Sequence, residues 1–159
     1  MGAGVDDRVF LREAIRLARE SVEVGGGPFG AVIVQDGTVI GRGANRVIPW
    51  ADPTAHAEVA AIRDACRYLQ DHRLHGATLY VSCEPCPMCR AAACWARLDR
   101  VVYAASARDA AEAGFDDERI RDELVAPPEQ RILPLSRELA EEGRAVFDYW
   151  ERHANRRLY

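Results

Sequence analysis

Two short segments carry side chains able to do metal chemistry, His56-Ala57-Glu58 and Pro85-Cys86-Pro87-Met88-Cys89. Zinc takes an imidazole nitrogen at about 2.0–2.1 Å and a thiolate sulfur at about 2.3 Å. One histidine and two cysteines supply three protein ligands and leave the fourth tetrahedral position to water, as in catalytic rather than structural zinc sites. Spacing alone leaves the cysteines ambiguous, because Cys83, Cys86 and Cys89 form two overlapping C-x-x-C pairs that share Cys86. With Cys83 as a fourth ligand the site would be closed and structural. Glu58 argues for chemistry. A closed site has no use for an acid two residues beyond its histidine, whereas a water acidified toward a pKa of about 7 needs a carboxylate to move its protons. Taken by itself, Glu58 also fits a solvated acid in the first turn of a helix.

The surrounding elements must bring these segments together. Asp6 and Asp7 open a helical pattern through Phe10, Ala14, Ile15, Leu17, Ala18 and Val22, which Gly25-Gly26-Gly27 and Pro28 end. Ala31-Val32-Ile33-Val34, the turn dipeptide Asp36-Gly37, and Thr38-Val39-Ile40 predict a β-hairpin. Residues 45–54, with Pro49 and Pro53, read as an irregular loop, and Thr54 as the N-cap of a helix over 55–70 buried along Val59, Ile62, Ala65 and Cys66. Thr78–Val81 and Val101–Ala104 read as strands, with a small-residue helix from Pro87 to Ala96 between them. Cys86 and Cys89 then lie one turn apart at a helix start, where the positive dipole end favours thiolates. Further on, 115–124 reads as a short helix that Ala126-Pro127-Pro128 breaks, Ile132-Leu133 as a minor fifth strand, and Phe147, Trp150 and His153 as one face of a last helix. The alternation predicts an α/β fold, a three-layer α/β/α sandwich around a central mixed five-stranded sheet. No internal linker marks a boundary, so 1–159 is expected to be a single domain.

Composition narrows the classes. A chain of 159 residues, 48% hydrophobic and 29% charged, is an ordinary globular protein. That length buries roughly 70% of the surface of its unfolded form. No segment reaches the about 20 consecutive apolar residues of a membrane span. The first ten residues lack the basic and apolar regions of a secretory signal, and Gly2 with Asp6 misses the myristoylation pattern. An odd count of five cysteines without such a signal fits a reducing, cytoplasmic setting and metal binding. Cys66 and Cys94 are expected to be small buried hydrophobes. The net charge of −4 argues against a partner held through its phosphates.

The order H-x-E…P-C-x-x-C is the signature of zinc nucleobase deaminases, and in it proline directly precedes only Cys86. That makes Cys86 and Cys89 the ligands and leaves Cys83 as a neighbour at a strand end. PTAHAEVAAIR (residues 53–63) and SCEPCPMC (residues 82–89) resemble the cytidine deaminase-like superfamily, a pair that guanine deaminases and tRNA adenosine deaminases largely share. GGPFGAVIV (26–34), DAAEAGFDD (109–117) and ANRRLY (154–159) resemble the small bacterial guanine deaminases, so the likeness runs nearly the whole chain.

The resemblance implies one Zn2+ per subunit, with a bound water or hydroxide, on His56, Cys86 and Cys89, and Glu58 as proton shuttle. It implies hydrolysis of guanine to xanthine and ammonia, in purine salvage or catabolism. Asn45 matches the substrate-holding asparagine, whose amide can both donate to and accept from a purine edge. Asp117 matches the aspartate credited with contacting the exocyclic amine, with adjacent Asp116 as the alternative. Phe29 and Trp95 are candidates for a stacking wall, and Ala57 and Tyr159 complete the substrate-binding set. The family's homodimers exchange C-terminal segments, here 130–159, so that the last residues of one subunit cover the other's site. A frayed terminus is the plainer alternative for those residues.

Rival activities within the class are deamination of cytosine, cytidine, guanosine or an aminotriazine, and of tRNA adenosine. The last needs a basic surface, and the C-terminal segment instead mixes Arg152, Arg156 and Arg157 with Asp148 and Glu151. A zinc-stabilised binding module is the rival outside enzymology.

Overall fold

The structure, a computed structural model, describes residues 6–159; Gly2 and the rest of 1–5, on which the expectations about a leader or lipid anchor partly fall, lie outside the described residues. Two compact units divide between Asp117 and Glu118, although the sequence shows no linker there.

In the first unit, helix α1 (Asp7–Glu23) starts on the Asp6 carboxylate, which accepts the Arg8 N–H at 3.0 Å. Strands β1 (Gly30–Gln35) and β2 (Thr38–Ala44) form the expected hairpin. Both turn residues have positive φ, Asp36 at 50° and Gly37 at 76°, as a two-residue type I′ turn requires. Helix α3 (Ala57–Leu69), strand β3 (Ala77–Cys83), helix α4 (Pro87–Trp95) and strand β4 (Arg100–Ala105) follow. The sheet order is β2-β1-β3-β4, with β1 antiparallel to both neighbours and β3 parallel to β4.

Alternation along β1 sorts the layers. Ala31 and Ile33 pack with Leu79 and Val81 against Ala57, Ala61, Ala65 and Ala93 of α3 and α4. Val32, Val34 and Tyr80 pack against Phe10, Leu11 and Leu17 of α1. The result is the expected three-layer sandwich on a mixed sheet. The sheet has four strands among the described residues, not five. Ile132 and Leu133 donate their backbone N–H groups to the Glu123 carboxylate, at 2.6 and 3.1 Å, instead of pairing as a strand.

Close approach sets the position of α3. A Cβ on Gly43 would lie 2.0 Å from the Ala57 carbonyl oxygen, and one on Gly41 2.5 Å from that of Ala61. Alternate glycines on β2 thus receive an alanine stripe on α3, so the buried face is Ala57, Glu58, Ala61 and Ala65; of the predicted Val59, Ile62, Ala65 and Cys66, Ala65 is buried and Ile62 and Cys66 pack at its edge. The helix also begins later than predicted. Thr54 turns back on Asp52, donating both its N–H and its hydroxyl, and His56 takes the N-cap position. Inside the predicted loop, Val47–Trp50 makes one helical turn, α2; Pro49 falls where an N–H would have no helical partner. Two short helices flank the unit boundary, α5 (Ala107–Glu112) and α6 (Glu118–Val125), where a single one over 115–124 is predicted.

The second unit contains α6, a 3-10 turn at Pro128–Gln130 and α7 (Ala140–Arg152). None of these elements buries a residue, and Leu133, Leu135, Phe147 and Tyr149 are exposed. No helix of the described residues is long and apolar enough to cross a membrane. Cys66 is partly buried against the core, whereas Cys94 is exposed, against the buried position predicted for it.

Candidate active site

His56 and Cys86 occupy the N-cap positions of α3 and α4, both in extended backbone, and neither side chain caps its helix. Their side chains are therefore left to each other. The His56 Nδ1 lies 3.5 Å from the Cys86 Sγ and 3.4 Å from the Cys89 Sγ. A tetrahedral zinc with the usual bond lengths would space its N and S ligands by about 3.6 Å. The two nitrogen–sulfur separations thus match edges of a zinc tetrahedron, and among the described residues these three form the cluster able to hold a metal. Cys83 stays outside it. Its thiol is buried at the end of β3 and donates to the Ser106 carbonyl at 3.5 Å, as expected for a neighbour rather than a ligand.

The electrostatics follow the geometry. Cys86 is the thiolate of the set, held down to about 4 chiefly by the hydrogen bond from Cys89 and further by His56. Cys89 is held up by that same bond and by burial, so taking up a metal means losing its proton. His56 is raised, chiefly by its hydrogen bond to Cys86. Glu58 is 8% exposed, and burial pushes its carboxyl above the ordinary glutamate range. An acid raised by desolvation beside a metal site is suited to carrying protons near neutral pH.

These groups open into a cavity of about 390 Å³, within the usual range for small-molecule pockets. Phe29 and Phe115 form one wall, edge to face with ring centroids 5.0 Å apart. Asn45 lies opposite in the chemical sense. Its Oδ1 accepts the Gly27 N–H at 3.1 Å and the Val47 N–H at 3.2 Å, which fills both lone pairs. Its carbonyl accepts from the Ser21 hydroxyl and the Arg46 guanidinium, each at 2.8 Å. What remains to meet a ligand is the Asn45 NH2 group. The sequence left Asn45 able to donate and accept; the fold makes it a donor. Gly26 permits this arrangement, since a Cβ there would lie 2.3 Å from the Asn45 carbonyl oxygen.

Among the predicted site residues, the structure brings His56, Glu58, Cys86, Asn45, Phe29 and Asp117 to this cavity, with Cys89 in the metal cluster beside it. Asp116 lines it as well, so both candidate acids face the same space. Trp95 does not line it. It ends α4, 61% exposed, at the opposite end of the helix from Cys86. Ala57 is buried under Gly43 as packing, and Tyr159 is exposed in the second unit. The sequence reading missed Phe115 as a wall, and it missed Glu84, Ala107 and Ala110 as lining. A signal existed for the last two. Ser106-Ala107-Arg108-Asp109 is a capping box, and both of its reciprocal bonds are made.

An open three-ligand zinc set with a buried glutamate on a mixed sheet defines a zinc-dependent deaminase, and residues 5–105 match the cytidine and deoxycytidylate deaminase zinc-binding region. The guanine deaminase of Bacillus subtilis is 49% identical over 156 residues, 98% of this chain and all of that protein. This chain belongs to the guanine deaminase family. The X-ray structure of the Bacillus subtilis guanine deaminase superposes with a TM-score of 0.92 at 50% identity, over 96% of this chain and 98% of that one. The tRNA-specific adenosine deaminase of Agrobacterium fabrum is 50% identical over 96 residues, which are 60% of this chain and 63% of that protein.

Proposed function

We propose that this protein hydrolyses guanine to xanthine and ammonia, with His56, Cys86 and Cys89 holding one zinc ion. The observation that carries the chemistry is the pair of 3.4 and 3.5 Å sulfur–nitrogen distances around His56, with Glu58 buried two residues on. When bound, zinc supplies a water acidified to a pKa of about 7. Glu58 takes the proton from the attacking water and passes it to the ring nitrogen next to the carbon that bears the amino group. The remaining O–H group bonds to that carbon, making it tetrahedral; Glu58 then takes the hydroxyl proton and delivers it to the amine, so that the C–N bond breaks as the C=O bond forms. Guanine and water thereby become xanthine and ammonia. Phe29 and Phe115 present apolar walls to the flat base.

Guanine suits the polarity of the cavity. The Asn45 NH2 group calls for an acceptor such as O6 or N7, and a carboxylate at Asp117 or Asp116 calls for donors such as N1–H and the amino group. The full-length similarity to a protein named guanine deaminase supports the same base, whereas the similarity to tRNA deaminases stops short of full length, at 60% to 74% of the chain. The zinc-binding region itself ends at residue 105, before Ala107, Phe115, Asp116 and Asp117. The lining is thus divided, with Phe29 and Asn45 inside the shared region and Phe115, Asp116 and Asp117 beyond it.

The test is Glu58→Gln in zinc-loaded protein. Ammonia release from guanine should fall by about 10³-fold or more at unchanged zinc content. Release at the wild-type rate would overturn the mechanism, and a clear preference for cytosine, cytidine, guanosine, ammeline, adenine or an adenosine-containing tRNA stem-loop would overturn the substrate.

The working form is a homodimer of exchanged C-terminal segments, in which Tyr159 and its neighbours close the partner copy's site. The exposed apolar side chains of the second unit support a second copy as their cover. Deleting residues 155–159 should depress turnover sharply at constant zinc content, and sedimentation should give twice the chain mass; unchanged turnover or a monomer would reject it. The free cysteines support a reducing, cytoplasmic compartment.

A further inference from the structure

The geometry points to Glu84 as a positioning residue that ties the cysteine loop to the substrate wall, an inference that rests on the deaminase function proposed above. Glu84 stands between the end of β3 and Cys86. Its N–H donates to the Ala105 carbonyl at 2.8 Å, continuing the β3–β4 pairing by one step. Its carboxylate then accepts the Ala107 N–H at 3.0 Å. Ala107 is the first residue of α5, and the opening N–H groups of a helix have no partners of their own.

Helix α5 has few other constraints. It is six residues long, too short to be stable alone, and buries none of its side chains. The Ser106–Asp109 capping box holds its first turn internally, but those bonds tie α5 only to itself. Glu84 and the longer Cys83–Ser106 contact are the side-chain bonds from the cysteine loop to its start. The helix and the turn after it carry Ala110, Gly114, Phe115 and Asp116 of the cavity lining. A charge-assisted bond at Ala107 therefore sets the height of that wall above the metal ligands.

Four variants decide this. Glu84→Ala should raise KM for guanine about tenfold, with kcat within about threefold and one zinc per chain, because the wall shifts and the metal ligands do not. Hydrogen exchange at the Ala107 amide should speed up by about the same factor, a readout independent of turnover. Glu84→Gln keeps an acceptor oxygen and should recover most of both losses. Ala107→Pro removes the donor instead. Proline is favoured at the first helical position, and Ser106 already has the extended backbone (φ −83°, ψ 165°) that a following proline demands. It should raise KM as Glu84→Ala does, and the double variant should be no worse than either single.

An unchanged KM and unchanged amide exchange in Glu84→Ala would overturn the proposal. So would a wild-type KM in Ala107→Pro, which would mean that the carboxylate acts on the ligand itself. Loss of zinc from Glu84→Ala, or Glu84→Gln failing as badly as alanine, would overturn it too. Inactive wild-type protein would instead reject the deaminase function, leaving the exchange result to judge the brace.

Discussion

Replacing Asn45 by aspartate changes one group at nearly constant volume. The Asn45 Oδ1 accepts two backbone N–H groups, from Gly27 and Val47, and an aspartate oxygen can accept both. The fold should therefore survive, with thermal stability close to wild type. What changes is the second atom, from an NH2 that donates to an oxygen that accepts. With Asn45 only 6% exposed, water does little to screen the exchange. Losing the bond to an acceptor on the base costs about 1 kcal/mol, and leaving a charged acceptor facing another acceptor adds about 2–3 kcal/mol. The sum lowers kcat/KM for guanine by roughly 10²–10³-fold. Xanthine formation measured on zinc-matched samples reads this directly. Asn45→Ala gives the contrast, since it leaves the Gly27 and Val47 N–H groups without their acceptor and should cost about 1–3 kcal/mol of stability besides. If Asn45→Asp turns over guanine within threefold of wild type, the amide is not a donor to the base, and the polarity argument fails.

Gly43→Ala should destabilise the fold by about 3 kcal/mol or more, because the new methyl meets backbone and α3 must lift; a denaturant midpoint checks it, and a chelator competition should show weakened zinc binding. Cys83→Ser should keep one zinc per chain and Cys89→Ser should lose it, as metal analysis will show. The Tyr80 hydroxyl, buried and bonded to Asp7 at 2.8 Å, is pushed up to about 12 from an ordinary 10. Its folded form holds the proton more tightly than the unfolded chain, so its contribution is complete below pH 10 and is lost as pH rises through 12, about 2–3 kcal/mol in all. The chain contains no lysine to titrate in that window. Denaturant midpoints at pH 9 and pH 11.5 should therefore lie closer together in Tyr80→Phe than in wild type.

How much the sequence disclosed depended on the range of the forces involved. The His56, Cys86 and Cys89 cluster, Glu58 beside it and the Asp36-Gly37 hairpin are local patterns with local causes, and the structure brings each together as the residues predict. Misplaced features have causes from far along the chain. Nothing near Ala57 says that it packs under Gly43, although alternating glycines on a strand and alanines at every fourth helical position are a legible pair once considered together. Asn45 lost its acceptor role to Gly27, eighteen positions away, and its carbonyl is held by Ser21 from α1. Trp95 illustrates a different limit. Helical spacing from Cys86 gives its distance along α4 but not its end of the cavity, and eight residues beyond Pro87 is too far from the metal ligands. Where a fifth strand was predicted, the Glu123 carboxylate instead accepts the Ile132 and Leu133 N–H groups within the second unit.

The two ends of the cavity are secured by different physics, and this bears on what can change. At the metal end, α3 rests on β2 through backbone-to-glycine contacts that no larger residue could occupy. A shift of α3 would move His56 and Glu58 together, so the proposed metal ligand and proton shuttle cannot be retuned separately. At the wall, α5 buries nothing and is placed by single hydrogen bonds from Glu84 and Cys83. Each such bond is worth about 1 kcal/mol rather than a core. Substitutions at the wall can thus re-aim Phe115 and its neighbouring acids at small cost to folding, while those at the floor remove metal and stability at once. A change of base should accordingly be reachable through Asn45, Glu84 and residues 107–117 with His56, Glu58, Cys86 and Cys89 untouched. On the roles proposed above, the deamination step belongs to the rigid half of the site and the choice of base to the adjustable one.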